Sequence, residues 1–148
     1  MPKRNPNPPT LRTADYVKLA SFRYALRNFL HFSETVAARV GLTSQQYQAL
    51  LAVRSLAESA PVSIADLAQQ LLIKHNSAVG LADRLVAQGL MVRERIPENR
   101  RKVQLRLTSK GEHVLRRLAS IHRAKLRRIG PDINLILEDL AGAWRQRT

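Results

Sequence analysis

Apolar side chains recur mostly at three- and four-residue steps between about Thr13 and Val40, at Leu19, Phe22, Leu26, Phe29, Val36 and Val40. That spacing is one face of a long amphipathic helix, and Gly41 ends it as a C-cap. Thr43-Ser-Gln-Gln46 then has the pattern of a capping box, in which the hydroxyl takes the third-residue amide and the glutamine reaches back. It opens a helix to about Ala57, with Tyr47, Leu50, Leu51 and Leu56 on the expected buried face. Ser59-Ala-Pro61 interrupts the pattern, and Ser63-Ile-Ala-Asp66 repeats the box in acidic form to start a short helix through about Leu72. After Ile73-Lys-His-Asn-Ser77 comes another helix through Gln88, with Val79, Leu81, Ala82 and Leu85 on or beside its apolar face. Gly89 stops it.

The period then changes from about four to two. Leu90–Ile96 and Lys102–Leu107 alternate as strands, with Val103, Leu105 and Leu107 facing one way and Lys102, Gln104 and Arg106 the other. Pro97-Glu-Asn-Arg-Arg101 reads as the polar turn between them. Thr108-Ser-Lys-Gly-Glu112 begins a further helix to about Ile129, striped by Leu115, Leu118, His122, Leu126 and Ile129. Gly130-Pro131 is expected to break it before a last short helix bearing Ile133, Ile136, Leu137, Leu140 and Trp144. Two short helices joined by a tight turn and followed directly by a hairpin form a winged helix-turn-helix. The fold class is therefore mainly α with a small β-hairpin wing (α+β). Residues 1–10, with prolines at 2, 6, 8 and 9, read as a flexible arm, and 11–148 as a single domain.

Charge changes the picture from fold to partner. Lys and Arg number 25 against 11 Asp and Glu, a formal net charge of +14, which attracts polyanions. The excess is unevenly spread: residues 1–42 carry net +5, 43–89 carry zero, 90–108 carry +4 and 109–148 carry +5. A purely charge-driven binder has less reason to spare the middle segment. The hairpin concentrates Arg93, Arg95, Arg100, Arg101, Lys102 and Arg106. The chain has no cysteine, which excludes disulfides, thiolate metal sites and a cysteine nucleophile. His31, His75, His113 and His122 show no i,i+4 pairing, so no metal or other cofactor is expected. No phosphate-cradling glycine loop or nucleophile-base spacing appears, and no catalytic residue is expected. The longest apolar run, Ala49–Val53, is far short of a membrane span, and the charged, proline-rich start does not resemble a secretory signal, so no membrane partner is expected.

In a helix-turn-helix the start of the second helix meets base edges in the major groove. Here that segment is Lys74, His75, Asn76 and Ser77, with Gly80 and Arg84 continuing the same surface. Asn76 has the donor-acceptor pair that matches adenine, and Lys74 suits guanine O6 or N7; His75 and Ser77 suit phosphate or water. Gly80 leaves a flat spot for close approach, or is simply a mild helix defect. Arg101 is the candidate minor-groove probe, and Arg95 and Arg100 are phosphate contacts. Ser63 offers an amide or hydroxyl to a phosphate at a helix start, although its capping role already explains it. A non-specific nucleoid-type nucleic-acid binder is the alternative reading, which competition by random duplex separates.

The ordered set Gly-Leu-Thr-x-x-Gln (41–46), Ile-Ala-Asp-Leu-Ala-x-x-Leu (64–71), Leu-Ala-Asp-Arg-Leu-Val-x-x-Gly-Leu (81–90), the hairpin and Leu-Thr-Ser-Lys-Gly (107–111) resembles the MarR family of bacterial and archaeal transcription regulators. The resemblance implies a cytoplasmic DNA-binding repressor. It implies a homodimer in which the terminal helices, 13–40 and 109–148, interleave and each 43–108 lobe takes half of a pseudo-palindromic double-stranded DNA operator. It also implies release by a small anionic or phenolic effector, for which Tyr24, His31, Phe32 and Tyr47 are the candidate pocket residues; at helical spacing they equally suit core or dimer seam. One departure stands out. The family's wing usually carries Asp-x-Arg, and here the triplet is Asn99-Arg100-Arg101, which puts an ionic brace in doubt.

Overall fold

In the computed structural model of the chain, residues 10–145 are described, 143–145 by their backbone alone. Residues 1–9 of the arm expected over 1–10, and the side chain of Trp144, lie outside the described residues. In chain order the elements are α1 (Thr13–Ala38), α2 (Ser44–Leu56), α3 (Ile64–Leu71), α4 (His75–Ala87), β1 (Met91–Ile96), β2 (Asn99–Leu107) and α5 (Ser109–Arg145). They fall into two compact units: His31–Lys125, and residues up to Leu30 together with those from Leu126.

The His31–Lys125 unit is built on one apolar core, which includes Leu50, Val53, Val62, Leu67, Leu81, Leu85, Met91, Leu105, Leu115 and Leu118. Both capping boxes form. Thr43 Oγ1 accepts the Gln46 amide at 3.1 Å while Gln46 Oε1 accepts that of Thr43 at 2.9 Å, and Ser63 and Asp66 repeat the exchange at 3.1 and 2.9 Å. Each box satisfies two helix-end donors that would otherwise lack partners. The turn from α3 to α4 passes through Leu72 in the left-handed region (φ 55°), and Leu72 is 91% exposed. A leucine there is strained, so the turn is held by its neighbours: the α3 carbonyls accept the Leu72 amide, and Ile73 N–H reaches Ala68 O at 3.0 Å.

β1 and β2 pair antiparallel from Met91↔Leu107 to Arg95↔Val103. An isolated bridge from Val62 to Leu105, with Leu105 N–H donating to Val62 O at 2.8 Å, anchors the hairpin to the segment before α3. At the other end of α4, Thr108 Oγ1 donates to Gly89 O at 2.6 Å and Lys110 Nζ to Gln88 O at 3.1 Å, so α5 starts where α4 finishes.

Three local expectations are revised. Leu51 is 44% exposed, because the buried arc of α2 is centred on Gln46, Ala49, Leu50 and Val53 and Leu51 lies about 100° away from Leu50. The hairpin turn is Pro97-Glu98 alone, since β2 already begins at Asn99. Gly130-Pro131 does not break the last helix: α5 runs through it for 37 residues. A proline there removes one backbone hydrogen bond and costs about 3 kcal/mol. The half-buried positions Ile129, Ile133, Ile136 and Leu140 keep one helical stripe across it, and that stripe favours continuation.

Candidate nucleic-acid interface

α4 differs from the two helices before it. Its N-cap, Lys74, makes no side-chain cap bond, whereas Thr43 and Ser63 do so for α2 and α3. The helix starts at His75, so His75, Asn76 and Ser77 occupy the first three helical positions, with amides that no side chain of the N-cap satisfies. All three and Lys74 are exposed, while Ala78 behind them is fully buried. The positive end of the helix dipole therefore faces outward with polar side chains around it. Asn76, Gly80 and Arg84 stand one turn apart on the same flank. A methyl at Gly80 would meet nothing nearer than the Arg84 Nη2 at 4.0 Å. Gly80→Ala is thus expected to raise thermal stability by up to ~1 kcal/mol, read by thermal denaturation. An unchanged or lower melting temperature would contradict the open space.

The flank of α4 is fixed to the wing by Arg93, which pairs with Asp83 at 2.7 Å and donates to Val79 O at 3.3 Å. On the hairpin itself Glu94 holds Arg106 through two contacts of 2.7 and 3.0 Å and accepts from Gln104 at 3.3 Å. The hydrogen bond from Arg106 keeps the Glu94 carboxyl below the usual carboxylate range, against a smaller opposing effect of desolvation. A lowered folded-state pKa means that the brace is fully present above the ordinary carboxylate range and lost as pH falls through the lowered value. Protection factors of the β1 and β2 amides should therefore fall selectively in acid below that range, and unchanged protection there would exclude the brace.

At the wing tip the register shifts. Arg95 pairs with Val103 but Ile96 pairs with Asn99, so Arg100, Arg101 and Lys102 bulge out with no Cα partner on β1. Two bonds shape this bulge: Arg95 Nη1 donates to Arg100 O at 2.8 Å, and Asn99 Oδ1 accepts the Arg101 amide at 3.3 Å. Asn99 thus braces the tip by a neutral local bond, in the manner of an Asx turn. Arg100, Arg101 and Lys102 are exposed and in no ion pair among the described residues. Of the six basic residues of the hairpin the sequence singles out Arg95, Arg100 and Arg101; the structure pairs Arg93 and Arg106 with acids and bonds Arg95 to the Arg100 carbonyl.

Ser63 is half-buried, and its amide is committed to Asp66, which leaves its hydroxyl hydrogen as the donor. It lines a cleft of about 590 Å³ between the start of α3 and the wing, together with Pro61, Asp66, Ile96, Asn99, Lys102 and Val103. Lys102 and the exposed Leu72 of the turn were not singled out from sequence. Their signals are the bulge register and a left-handed leucine, neither of which a residue pattern displays.

The candidate effector residues Tyr24, His31, Phe32 and Tyr47 are divided between the two compact units. Tyr24, 63% exposed, belongs to the other compact unit, and His31 is exposed. Phe32 and Tyr47 meet around buried His122: Tyr47 stacks on its imidazole at 4.2 Å and 16°, and Phe32 meets it edge-on at 5.8 Å. His122 Nε2 lies 2.8 Å from Ser33 Oγ and Nδ1 lies 2.7 Å from Leu118 O. Burial raises the Tyr47 phenol above its usual pKa, which keeps it neutral at physiological pH. Sequence reading placed His122 in a core stripe, and Ser33 was the partner it missed. Among the described residues no group of three or more His, Cys, Asp or Glu is arranged to hold a metal ion.

Residues 40–102, which span α2 through the wing bulge, match the MarR family. The HTH-type transcriptional regulator FarR of Neisseria gonorrhoeae is 38% identical over 74 residues, half of this chain and 49% of that protein. The chain thus aligns with about half the length of that curated relative. A MarR family protein from Bacillus stearothermophilus superposes with a TM-score of 0.68 at 19% identity, covering 93% of this chain and 99% of the other.

Residues 40–102 of the chain are similar to the MarR family.

A mutant of Staphylococcus aureus MepR, solved bound to an oligodeoxyribonucleotide, shares the fold with a TM-score of 0.64 at 15% identity, covering 93% of this chain and all of that one. The likeness to these structures is one of fold, a helical scaffold that carries a two-stranded antiparallel hairpin. Among the described residues no helix is long and apolar enough to cross a membrane.

Proposed function

We propose that this chain is a MarR-family transcription regulator that binds a pseudo-palindromic DNA operator as a homodimer and acts as a repressor. The observation that carries the reading is the division of labour among the hairpin's cations. Arg93 and Arg106 are held by acids and Arg95 supports the bulge. Arg100, Arg101 and Lys102 stand exposed, in no ion pair among the described residues, and the start of α4 is likewise exposed and uncapped. In this reading α4 enters a major groove, where Asn76 pairs with adenine and Lys74 with guanine, while His75, Ser77, Arg84 and the Ser63 hydroxyl engage phosphate or water. Arg101 enters the adjacent minor groove and Arg100 lies on the backbone. The oligonucleotide bound to the MepR mutant supports DNA as the partner.

A second copy is the partner for the apolar residues left exposed on the terminal helices, among them Tyr16, Val17, Leu19, Leu26 and Leu135. A lone chain with that much apolar surface would be prone to association. Sedimentation equilibrium is expected to give twice the chain mass, and a monomer at micromolar concentration would sink the dimer. Release by a small anionic or phenolic effector rests on the family resemblance; stabilisation against heat by phenolic acids is its test. The charge-driven alternative is separated by footprinting. A sequence reader keeps a protected site under excess random duplex, and a non-specific binder loses it.

A further inference from the structure

The reading head uses only part of the chain's positive charge. On the first half of α5, His113, Arg116, Ser120 and Arg123 recur at steps of three, four and three, which aligns them as one stripe about 15 Å long. All four are exposed, as is Arg117 beside them. No acidic residue occurs between Glu112 and Asp132, and none of these arginines is in an ion pair among the described residues. Elsewhere in the same compact unit three arginines are matched by acid: Arg54 by Glu58 and Glu112, Arg93 by Asp83, Arg106 by Glu94. The one acid of α5 near the stripe, Glu112, is engaged by Arg54, so the stripe's positive charge is left without an ion-pair partner among the described residues.

We infer that this stripe is a second polyanion-binding surface, which holds the phosphate backbone of a DNA duplex other than the one read by α4 and the wing. The inference rests on the DNA-binding reading above. Three features point to a phosphate backbone. The charges are arginines, whose planar forks suit phosphate oxygens. The interleaved His113 and Ser120 add hydrogen-bonding groups at the same spacing. The stripe itself has no apolar residue, unlike a helix that lies in a lipid interface. Position argues for a separate duplex. α5 leaves from the C-terminal end of α4, tied there by Lys110 to Gln88 and Thr108 to Gly89. The reading segment is at the opposite end of α4, about 18 Å away along its axis. The wing bulge is likewise at the end of the hairpin remote from the Met91↔Leu107 pair that joins α5.

The test uses the full chain and the double variant Arg116→Gln/Arg123→Gln. A duplex selected from a random pool is immobilised and saturated with protein, and a fluorescent duplex of unrelated sequence is added. The unsubstituted chain should retain the second duplex, with retention falling steeply as salt rises. The variant should lose at least tenfold of that retention, and its second-duplex salt slope should fall by about 1.8, the loss of two phosphate contacts. Its affinity for the immobilised duplex and its melting temperature should stay unchanged. Equal retention by both proteins, or none by the unsubstituted chain, would overturn the inference. So would weaker single-duplex binding by the variant, which would put the stripe on the duplex being read, or capture of phosphatidylserine vesicles without duplex. Failure of the unsubstituted chain to hold the immobilised duplex would instead overturn the DNA-binding reading, and this inference with it.

Discussion

Arg101→Ala is expected to weaken duplex binding by a similar factor for every sequence, whereas Asn76→Ala should erase preference at particular base pairs. The difference follows from what each group can recognise. A guanidinium in a narrow minor groove responds to potential and shape, and a phosphate-type contact contributes about one unit to the salt slope. The bulge makes Arg101 well suited to this, because its backbone amide is tied to Asn99 and its side chain is left without an acid. Asn76 is at the second position of an uncapped helix and exposed, so its amide is free to pair bidentately with adenine. Such a pair is worth about 1–3 kcal/mol of discrimination, roughly tenfold to a hundredfold. Binding measured over all single-base variants of a selected duplex separates the two. A uniform loss in the Asn76 variant would exclude direct readout by that residue, and a position-specific loss in the Arg101 variant would exclude a shape-reading role.

Gly111→Ala should be among the most damaging single-methyl additions in the lobe. A Cβ at that position would stand 2.0 Å from the carbonyl oxygen of Leu90 and 3.0 Å from its carbon, both backbone atoms that cannot rotate away. The first turn of α5 therefore rests directly on the residue that precedes β1, and Thr108 N–H donates to the same Leu90 carbonyl at 3.1 Å. Relief requires α5 and the base of the hairpin to separate, a cost of about 3 kcal/mol, the upper end of what overpacking by a single group usually brings. Gly130→Ala is the matched control: a methyl there has nothing within 4 Å, and a helix-interior glycine replaced by alanine should gain up to ~1 kcal/mol. Chemical denaturation of both variants checks the contrast. A Gly111 variant within about 1 kcal/mol of the unsubstituted chain would mean that α5 does not sit against Leu90.

What was legible in the sequence was what is local in chemistry. Thr43 with Gln46 and Ser63 with Asp66 close their boxes because both partners lie within one turn, so spacing alone identifies them. The alternation of Val103, Leu105 and Leu107 likewise reports a strand by its period, although Val103 is half-exposed near the bulge. What was hidden depends on distant partners. Arg93 is neutralised by Asp83 across an element boundary and Arg106 by Glu94 across the hairpin, and no charge tally distinguishes them from Arg100 or Arg101. The three-residue bulge is a register event, set by the Ile96↔Asn99 pair and the reach of Arg95 to the Arg100 carbonyl. Pro131 misled for a related reason. Its local penalty is real, but the stripe of Ile129, Ile133, Ile136 and Leu140 is worth more to the folded chain than one missing hydrogen bond. His122 could be placed inside from its spacing; that Ser33, 89 residues earlier, is its partner could not.

The most direct measurement is to let the purified chain choose from a pool of random duplexes under excess competitor and to sequence what it keeps. The account predicts an inverted repeat with half-site centres about 34 Å apart, one turn of DNA, and a duplex-to-chain ratio of one to two. Retained fragments with no shared motif, or a single half-site bound by one chain, would contradict it.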